Sequence, residues 1–167
     1  MNKSFSEFQF FPQLTENINN LGYKECTPIQ ADAMPLILQG QDVAGLAQTG
    51  TGKTAAYLIP ILHRILSGDM KEWKARQFVL VLVPTRELAE QVLETFQKLS
   101  VGTGLRGTAV YGGVGYDKQK EAFAEGHEFI IATPGRLIDL YKEHVADLKQ
   151  VRAVVFDEAD RLFDMGF

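Results

Sequence analysis

Residues 47–54, AQTGTGKT, have the composition of a phosphate-binding turn. Six of these eight residues are Gly, Thr or Lys, and apolar runs lie on both sides. Phosphate needs several hydrogen-bond donors at close range, and glycines let backbone N–H groups provide them. Lys53 would begin a helix and reach the β- and γ-phosphates of a nucleotide, and the Thr54 hydroxyl would ligate Mg²⁺. The predicted nucleotide contacts in this segment are Gln48, Thr49, Gly50, Thr51, Gly52, Lys53 and Thr54.

The segment departs from the usual pattern G-x-x-x-x-G-K-[ST] at Ala47, which stands where that pattern has its first glycine. The alternative is a glycine-rich turn between a strand and a helix, with an exposed lysine. The apolar strand expected before the segment and the apolar helix expected after it favour the phosphate site.

A pair of carboxylates follows the last apolar run, in AVVFDEAD at residues 153–160. Asp157 comes after four apolar residues, so it is expected at the carboxyl end of a strand. There it can hold Mg²⁺ through water while Glu158 polarises the attacking water, and a positioned base contributes roughly 10²–10⁴ in rate. The alternative is an acidic strand end that caps the next helix. The phosphate-binding pattern in the same chain favours catalysis, with Lys53, Asp157 and Glu158 as the catalytic residues.

Five apolar segments are predicted as buried strands, and helical patterns lie before and between them. The strands are expected at residues 42–47, 77–84, 106–113, 128–134 and 151–160. The helices are expected within residues 11–22, 28–40, 53–68, 85–99, 117–126 and 134–144. Continuous apolar runs suit a parallel sheet that is covered on both faces. The alternation of strands and helices predicts an α/β fold with a doubly wound, mostly parallel sheet, whose ligand lies at the carboxyl ends of the strands.

The composition fits one globular domain, with 167 residues of which 46% are hydrophobic. No apolar run approaches the ~18 residues that span a bilayer, and the N-terminus does not resemble a signal peptide. Cys26 is the single cysteine, which favours a reducing, cytoplasmic location, and the three histidines show no metal-ligand spacing. The net charge of −4 counts mildly against a nucleic-acid binder. Backbone N–H groups and a few arginines can nevertheless hold phosphates.

AQTGTGKT and DEAD together resemble the DEAD-box RNA helicases of superfamily two, over about residues 5–167. The resemblance implies a RecA-like P-loop NTPase domain over residues 1–167, with a Q-motif region at 3–31, and ATP and Mg²⁺ as cofactors. It also implies that the chain acts as an RNA-dependent ATPase. The segments YGGVGYDKQ and ADRLFDMGF are most similar to those of bacterial members.

The segment GYKECTPIQ, residues 22–30, is similar to the Q motif of that family. The resemblance implies that the Gln30 amide reads adenine, by accepting from its N6 and donating to its N7, and that Tyr23 stacks on the base. By analogy with glutamine–adenine pairs in DNA, such a contact is worth ~1–3 kcal/mol. Phe5 matches the isolated upstream aromatic of the family. Thr27 and Gln30 also form a capping-box pattern with Pro28 at the first helical position, and the two roles are compatible.

Three further motifs resemble the segments with which the family grips RNA: PTRELAEQ at residues 84–91, the glycine pair in VYGGVG, and TPGR. Thr85 can cap a helix and Thr133 reads as a second N-cap, so that backbone N–H groups are left for phosphate. The alternative for each motif is an ordinary turn. Contacts to the backbone alone would make RNA binding independent of sequence and strongly dependent on salt. The predicted RNA contacts are Pro84, Thr85, Arg86, Gly112, Gly113, Thr133, Pro134, Gly135 and Arg136.

The chain ends seven residues after the DEAD tetrapeptide, before the Ser-Ala-Thr motif and the second RecA-like domain that the resemblance implies. Arginine fingers of the kind that this second domain supplies contribute roughly 10³–10⁵ in turnover. We therefore expect this chain alone to bind ATP weakly, to hydrolyse it very slowly and to unwind nothing. A sheet without its Ser-Ala-Thr strand would have unpaired central edges. We expect a domain-swapped or neighbouring segment to fill the gap, or the last strand to be poorly ordered.

Two other functions remain open from the residues alone. One is a P-loop ATP-binding domain with no role in nucleic-acid binding, and the other is an interaction module without turnover. RNA binding is favoured if the segments at residues 85–86, 112–113 and 133–136 line one face of the molecule next to the nucleotide.

Overall fold

The computed structural model describes residues 3–45, 52–164 and 166. The chain divides into two compact units. The first comprises Met1–Glu72 with Thr95–Gly104, and the second comprises Trp73–Glu94 with Leu105–Phe167.

The first unit is built around three helices: α1 (Pro12–Asn20), α2 (Pro28–Leu38) and α3 (Lys53–Leu66). A short 3₁₀ turn, Phe5–Glu7, precedes them. Helices α2 and α3 pack against each other. The large side chains that this unit buries most completely are Leu14, Ile18, Met34, Leu58, Ile59, Leu62, Phe96 and Leu99.

Helix α1 is held in the first unit by a buried asparagine. The Asn17 side-chain amide donates to the carbonyls of Leu99 and Val101, at 2.8 Å in both cases. A buried amide without partners would be costly, so this pair of hydrogen bonds fixes the position of α1 as well as stabilising it.

His63 in α3 links this helix to the segment that precedes α1. The Phe11 backbone N–H donates to His63 Nδ1 at 3.0 Å, and the Phe10 ring meets the imidazole edge-on at a centroid distance of 5.6 Å. Burial lowers the pKa of His63, and the charge of Asp69 opposes this effect. The neutral ring is therefore the form that the folded chain prefers.

Acidification is expected to destabilise the first unit through His63. The unfolded chain binds a proton on this ring more readily than the folded chain, so stability is present above the unfolded pKa of 6.5 and falls as the pH drops below it. The urea midpoint of the wild type should fall between about pH 7.5 and about pH 5.5, and His63→Asn should reduce that fall. His144→Asn is the control, because His144 is exposed; an equal reduction in both variants would contradict the assignment.

The second unit contains a four-stranded, fully parallel sheet in the order β2–β3–β1–β4. The strands are β1 (Phe78–Leu82), β2 (Gly107–Val110), β3 (Phe129–Ala132) and β4 (Val151–Phe156). The helices that follow the four strands are α4 (Arg86–Leu99), α5 (Asp117–Glu125), α6 (Pro134–Lys142) and α7 (Ala159–Asp164). A 3₁₀ turn, Leu148–Gln150, leads into β4.

Both faces of the central strands are buried, as the continuous apolar runs predict. Leu80 and Ile130 belong to the apolar cluster on one face, together with Leu137 and Leu140 of α6. Val81 points to the opposite face and is also fully buried. The edge strands β2 and β4 are only partly covered, because each has a strand neighbour on one side in the described sheet.

The prediction of an α/β fold with a mostly parallel sheet is confirmed, and four of the five predicted strands are present with shorter bounds. The strand predicted at residues 42–47 is wrong for residues 42–45, which are irregular and exposed. Asp42 and Gly45 are poor strand formers, and Val43 is the one β-branched residue among these four. Residues 46 and 47 lie outside the described part of the chain. Helix α7 was not predicted.

Within residues 3–45, 52–164 and 166, no helix has both the length and the apolar character needed to cross a bilayer. Those same residues contain no cluster of His, Cys, Asp or Glu that could hold a metal ion by itself.

Candidate nucleotide and nucleic-acid sites

Gln30 makes contacts at both ends of its side-chain amide. Its Oε1 accepts from the Thr27 backbone N–H at 2.9 Å, and its Nε2 donates to the Gly52 carbonyl at 3.1 Å. Thr27 Oγ1 in turn accepts from the Gln30 backbone N–H, so the predicted capping box is present, with Pro28 at the first helical position. An amide has two acceptor lone pairs and two N–H donors. Within the described residues, one of each has no further contact, which is the pair that adenine would need.

Phe5 and Tyr23, the two aromatic residues that the Q-motif resemblance singles out, contact each other. The Phe5 and Tyr23 rings stack with centroids 5.8 Å apart and planes 26° apart. Phe5 is buried, whereas Tyr23 is half-exposed. An antiparallel bridge between Ser4 and Glu25 brings the two segments together, so the upstream aromatic supports the ring that the Q-motif resemblance assigns to the base.

Gly52 and Lys53 form the start of α3. Gly52 is the N-cap with φ of 80°, a left-handed conformation that favours glycine. A β-carbon there would also collide with the Gln30 amide. Thr54 follows Lys53 in the first turn, where the N-terminal dipole favours anions. The other predicted phosphate contacts, Gln48, Thr49, Gly50 and Thr51, lie outside the described residues.

Four sequence motifs of the second unit each follow one of the four neighbouring strands of the sheet. The strand order places the glycine pair after β2, the TPGR segment after β3, the PTREL segment after β1 and the DEAD segment after β4. Because the strands are parallel, all four motifs lie along one edge of the sheet. Neighbouring strands are ~4.8 Å apart, so segments that are up to about 70 residues apart in sequence are close in space.

Thr85 and Arg86 follow β1 at this edge, after the buried Pro84. Thr85 Oγ1 accepts from the Leu88 backbone N–H at 3.2 Å, so Thr85 caps α4 as predicted. The other N–H groups of a first helical turn have no partner within the helix. They are the backbone donors that the sequence assigns to phosphate.

Arg86 lies beside the glycine pair. Its guanidinium carbon is 5.0 Å from the centroid of the Tyr111 ring, and its Nη1 is 3.6 Å from where a β-carbon on Gly113 would be. The Tyr111 hydroxyl donates to Glu90, and this hydrogen bond raises the pKa of Tyr111. Gly113 has φ of 87°, a left-handed conformation that glycine adopts without strain. The structure therefore brings Arg86 and the exposed Gly112–Gly113 backbone to one place.

Thr133, Pro134 and Gly135 form the N-terminus of α6 after β3. Thr133 is the N-cap and Pro134 the first helical residue, as predicted, although the Thr133 side chain makes no capping hydrogen bond. Gly135 is exposed. Arg136 differs from Arg86, the other arginine of the predicted RNA set: Arg86 is exposed, whereas the Arg136 side chain is buried and its guanidinium contacts protein groups.

Asp157 and Glu158 follow β4. The Asp157 backbone N–H donates to the Leu82 carbonyl at 2.9 Å, which continues the pairing of β4 with β1, and the Asp157 side chain is buried. Glu158 has φ of 56°, which is uncommon for a residue other than glycine. Its Oε2 is buried and accepts no hydrogen bond from the described residues. Such strain and an unsatisfied buried oxygen are typical of functional sites.

Several residues that shape this edge were not among the predicted site residues. Tyr111 lies beside Arg86 and donates to Glu90, and Tyr116 and Gln119 contact Arg136. Their contacts join residues 17 to 25 positions apart, so no local periodicity indicates them. A signal in the sequence that could have drawn attention to Tyr116 and Gln119 is their position just after a segment with three glycines.

The fold and this arrangement of motifs define a helicase domain. The chain belongs to the DEAD/DEAH box helicase family, whose model matches residues 27–167. Among curated proteins it is similar to the "ATP-dependent RNA helicase RhlB" of Vibrio parahaemolyticus serotype O3:K6, with 44% identity over 99% of this chain and 38% of that protein. It is also 48% identical to the protein of the same name from Xanthomonas oryzae pv. oryzae, over 98% of this chain and 29% of that protein.

A solved structure agrees with these relatives. The protein described as a "hypothetical ATP-dependent RNA helicase from Sulfolobus tokodaii" superposes with a TM-score of 0.82 at 38% identity, over 93% of this chain and 44% of that one. The predicted resemblance to DEAD-box helicases with bacterial relatives is thus confirmed. The chain spans less than half the length of each of these three proteins.

Proposed function

We propose that this chain is the first RecA-like domain of an ATP-dependent RNA helicase, with residues 3–31 as its Q-motif region. In this proposal it binds ATP with Mg²⁺ and grips the sugar-phosphate backbone of RNA. The observation that carries the proposal is the placement of four motifs on neighbouring strands at one sheet edge, with exposed glycine backbone, an arginine and two helix N-termini among them.

The RNA part of the proposal rests on the kind of groups at that edge. Backbone N–H groups and Arg86 recognise phosphate oxygens, which every nucleotide has, and the described motifs offer no set of side chains that would read base edges. RNA binding should therefore be independent of sequence. It should also be weak in an acidic chain of net charge −4 and should fall with added salt.

The ATP part of the proposal rests on the geometry within each motif and on the membership of the chain in the helicase family. Gln30 and Tyr23 would hold adenine, and the residues up to Lys53 would hold the phosphates. Carboxylate and hydroxyl oxygens are the ligands that Mg²⁺ prefers, so Thr54 and, through water, Asp157 fit that ion. Magnesium would neutralise phosphate charge. Glu158 Oε2 is buried and has no hydrogen-bond partner in the described part of the chain, which suits a group that orients the attacking water.

The activity of the whole protein is proposed to need a second RecA-like domain. Unwinding and rapid hydrolysis would depend on groups that this second domain supplies, so this chain alone should show little turnover. We also retain the proposal of a cytoplasmic location, which a single cysteine favours.

RNA binding by the 167-residue chain tests the proposal. Fluorescence anisotropy with labelled single-stranded RNA oligonucleotides of different sequence should give dissociation constants within about threefold of one another, with log K falling linearly with log salt. Arg86→Ala should weaken binding several-fold and reduce the salt slope by about 0.7, the value for one phosphate contact on a single strand.

Arg106→Ala is the matched control. Arg106 precedes β2 and contacts Glu128 and the Gly126 carbonyl at the opposite end of the sheet. This variant loses the same charge and should bind RNA as the wild type does. Equal losses in both variants, or no salt-dependent binding by the wild type, would contradict the proposed RNA surface.

A further inference from the structure

We infer that Arg136 and Gln119 form a clamp that holds the glycine segment, residues 111–116, in the shape that presents its backbone to RNA. Arg136 is then a positioning residue and does not bind phosphate. The inference rests on the proposed RNA function and assigns a role to two buried side chains of the second unit.

Arg136 contacts the middle and the end of the glycine segment. Its Nη2 donates to the Val114 carbonyl at 3.0 Å, and its guanidinium carbon lies 3.9 Å from the centroid of the Tyr116 ring. The residue is only 7% exposed. A planar guanidinium can stack on an aromatic ring and donate in its own plane at the same time, whereas a lysine cannot.

Gln119 completes the clamp at the beginning of the segment. Its Nε2 donates to the Tyr111 carbonyl at 3.1 Å, and its Oε1 accepts from Arg136 Nη1 at 2.9 Å. Gln119 is 4% exposed. The two side chains thus fix the segment at its first, fourth and sixth residues from helices α5 and α6.

The segment needs such restraint because of its composition. Gly112, Gly113 and Gly115 make up half of its six residues, and all three are exposed. Glycine has the largest conformational freedom to lose on ordering. A segment that offers bare backbone to a ligand must either lose that freedom on binding or be ordered beforehand, and prior order improves affinity.

The burial of Arg136 argues against direct contact with phosphate. One side of its guanidinium is covered by Tyr116, and donors on both of its terminal nitrogens are engaged with protein acceptors. Releasing these bonds to reach RNA would leave the buried Gln119 oxygen without its partner, which is costly.

The test compares Arg136→Lys and Gln119→Ala with the wild-type chain. Amide hydrogen exchange, followed by mass spectrometry, should become about tenfold faster across residues 112–116 in both variants, because hydrogen bonds that hold the segment are lost. Affinity for single-stranded RNA should fall about fivefold in both, with an unchanged salt slope, because no cation is removed. The double variant should be no worse than the more affected single variant.

Arg152→Lys is the matched control. Arg152 donates to Gln77 Oε1 at 2.9 Å and lies 5.2 Å from the centroid of the Trp73 ring, so it repeats the chemistry of the clamp at the other end of the sheet. It should change neither readout. Thermal unfolding should be measured for every variant, to check that each chain remains folded.

Unchanged exchange in the glycine segment would overturn the clamp. So would wild-type RNA affinity in Arg136→Lys, because a lysine can replace an arginine that merely supplies charge to a phosphate. If the wild-type chain does not bind RNA, the proposed function fails, and the exchange comparison still decides whether the clamp exists.

Discussion

Replacing Lys53 by alanine is expected to weaken the binding of ATP with Mg²⁺ by roughly 10- to 100-fold. Hydrogen bonds to charged groups contribute about 1.5–3 kcal/mol, and Lys53 begins α3, where the helix dipole also favours phosphate. The Gly52 carbonyl is held by Gln30 independently of the lysine side chain, so the local backbone should survive the substitution. Isothermal titration of the 167-residue chain with ATP in excess Mg²⁺ measures the change.

Lys149→Ala is the control for this loss of charge. Lys149 is exposed in the 3₁₀ turn Leu148–Gln150 before β4, and its removal alters the net charge by the same amount. Its variant should bind ATP as tightly as the wild type. Comparable affinities for Lys53→Ala and the wild type would contradict the phosphate site and, with it, the ATP part of the proposed function.

Replacing Ile130 by alanine is expected to lower the free energy of unfolding by about 2–5 kcal/mol, the usual range for a large aliphatic side chain removed from a core. Ile130 is fully buried in β3, pairs with Leu80 and Thr108 in register, and belongs to the apolar cluster that includes Leu137 and Leu140. The substitution leaves a cavity between the sheet and α6. Urea unfolding followed by circular dichroism would report the loss as a lower midpoint.

Ile138→Ala makes the same chemical change on the exposed side of α6, where the isoleucine is 40% exposed. It is expected to stay within about 0.5 kcal/mol of the wild type, as surface substitutions usually do. A small effect at Ile130, or similar effects at the two positions, would mean that the cluster is not the core of the second unit.

Local features of the sequence predicted the local structure well. The apolar runs at β1 and β3 are buried on both faces, and the capping residues Thr27 and Thr85 make the hydrogen bonds that their types and spacing indicated. These features depend on residues within a few positions of one another, so a single segment contains the information. The family motifs were recognisable for the same reason.

The sequence was least informative about features that depend on distant partners. Residues 42–45 were predicted as part of a strand from a short apolar pattern, yet a strand also needs a neighbour and an environment that the pattern does not specify. Arg136 was grouped with the RNA contacts because it belongs to TPGR. Its side chain instead lies among groups that are 17 to 22 residues earlier in the chain.

The sequence by itself determined the family, the parallel α/β class, the helix caps and the identity of the motifs, because each is encoded in contiguous residues and their spacing. Only the tertiary structure decided the order β2–β3–β1–β4, which brings four motifs to one edge, and the contacts of Arg136 and Gln119. Strand order and buried polar contacts are set by the packing of segments far apart in the chain. The free energy that stabilises the strand order and these polar contacts comes from the assembled core and not from any single stretch of residues.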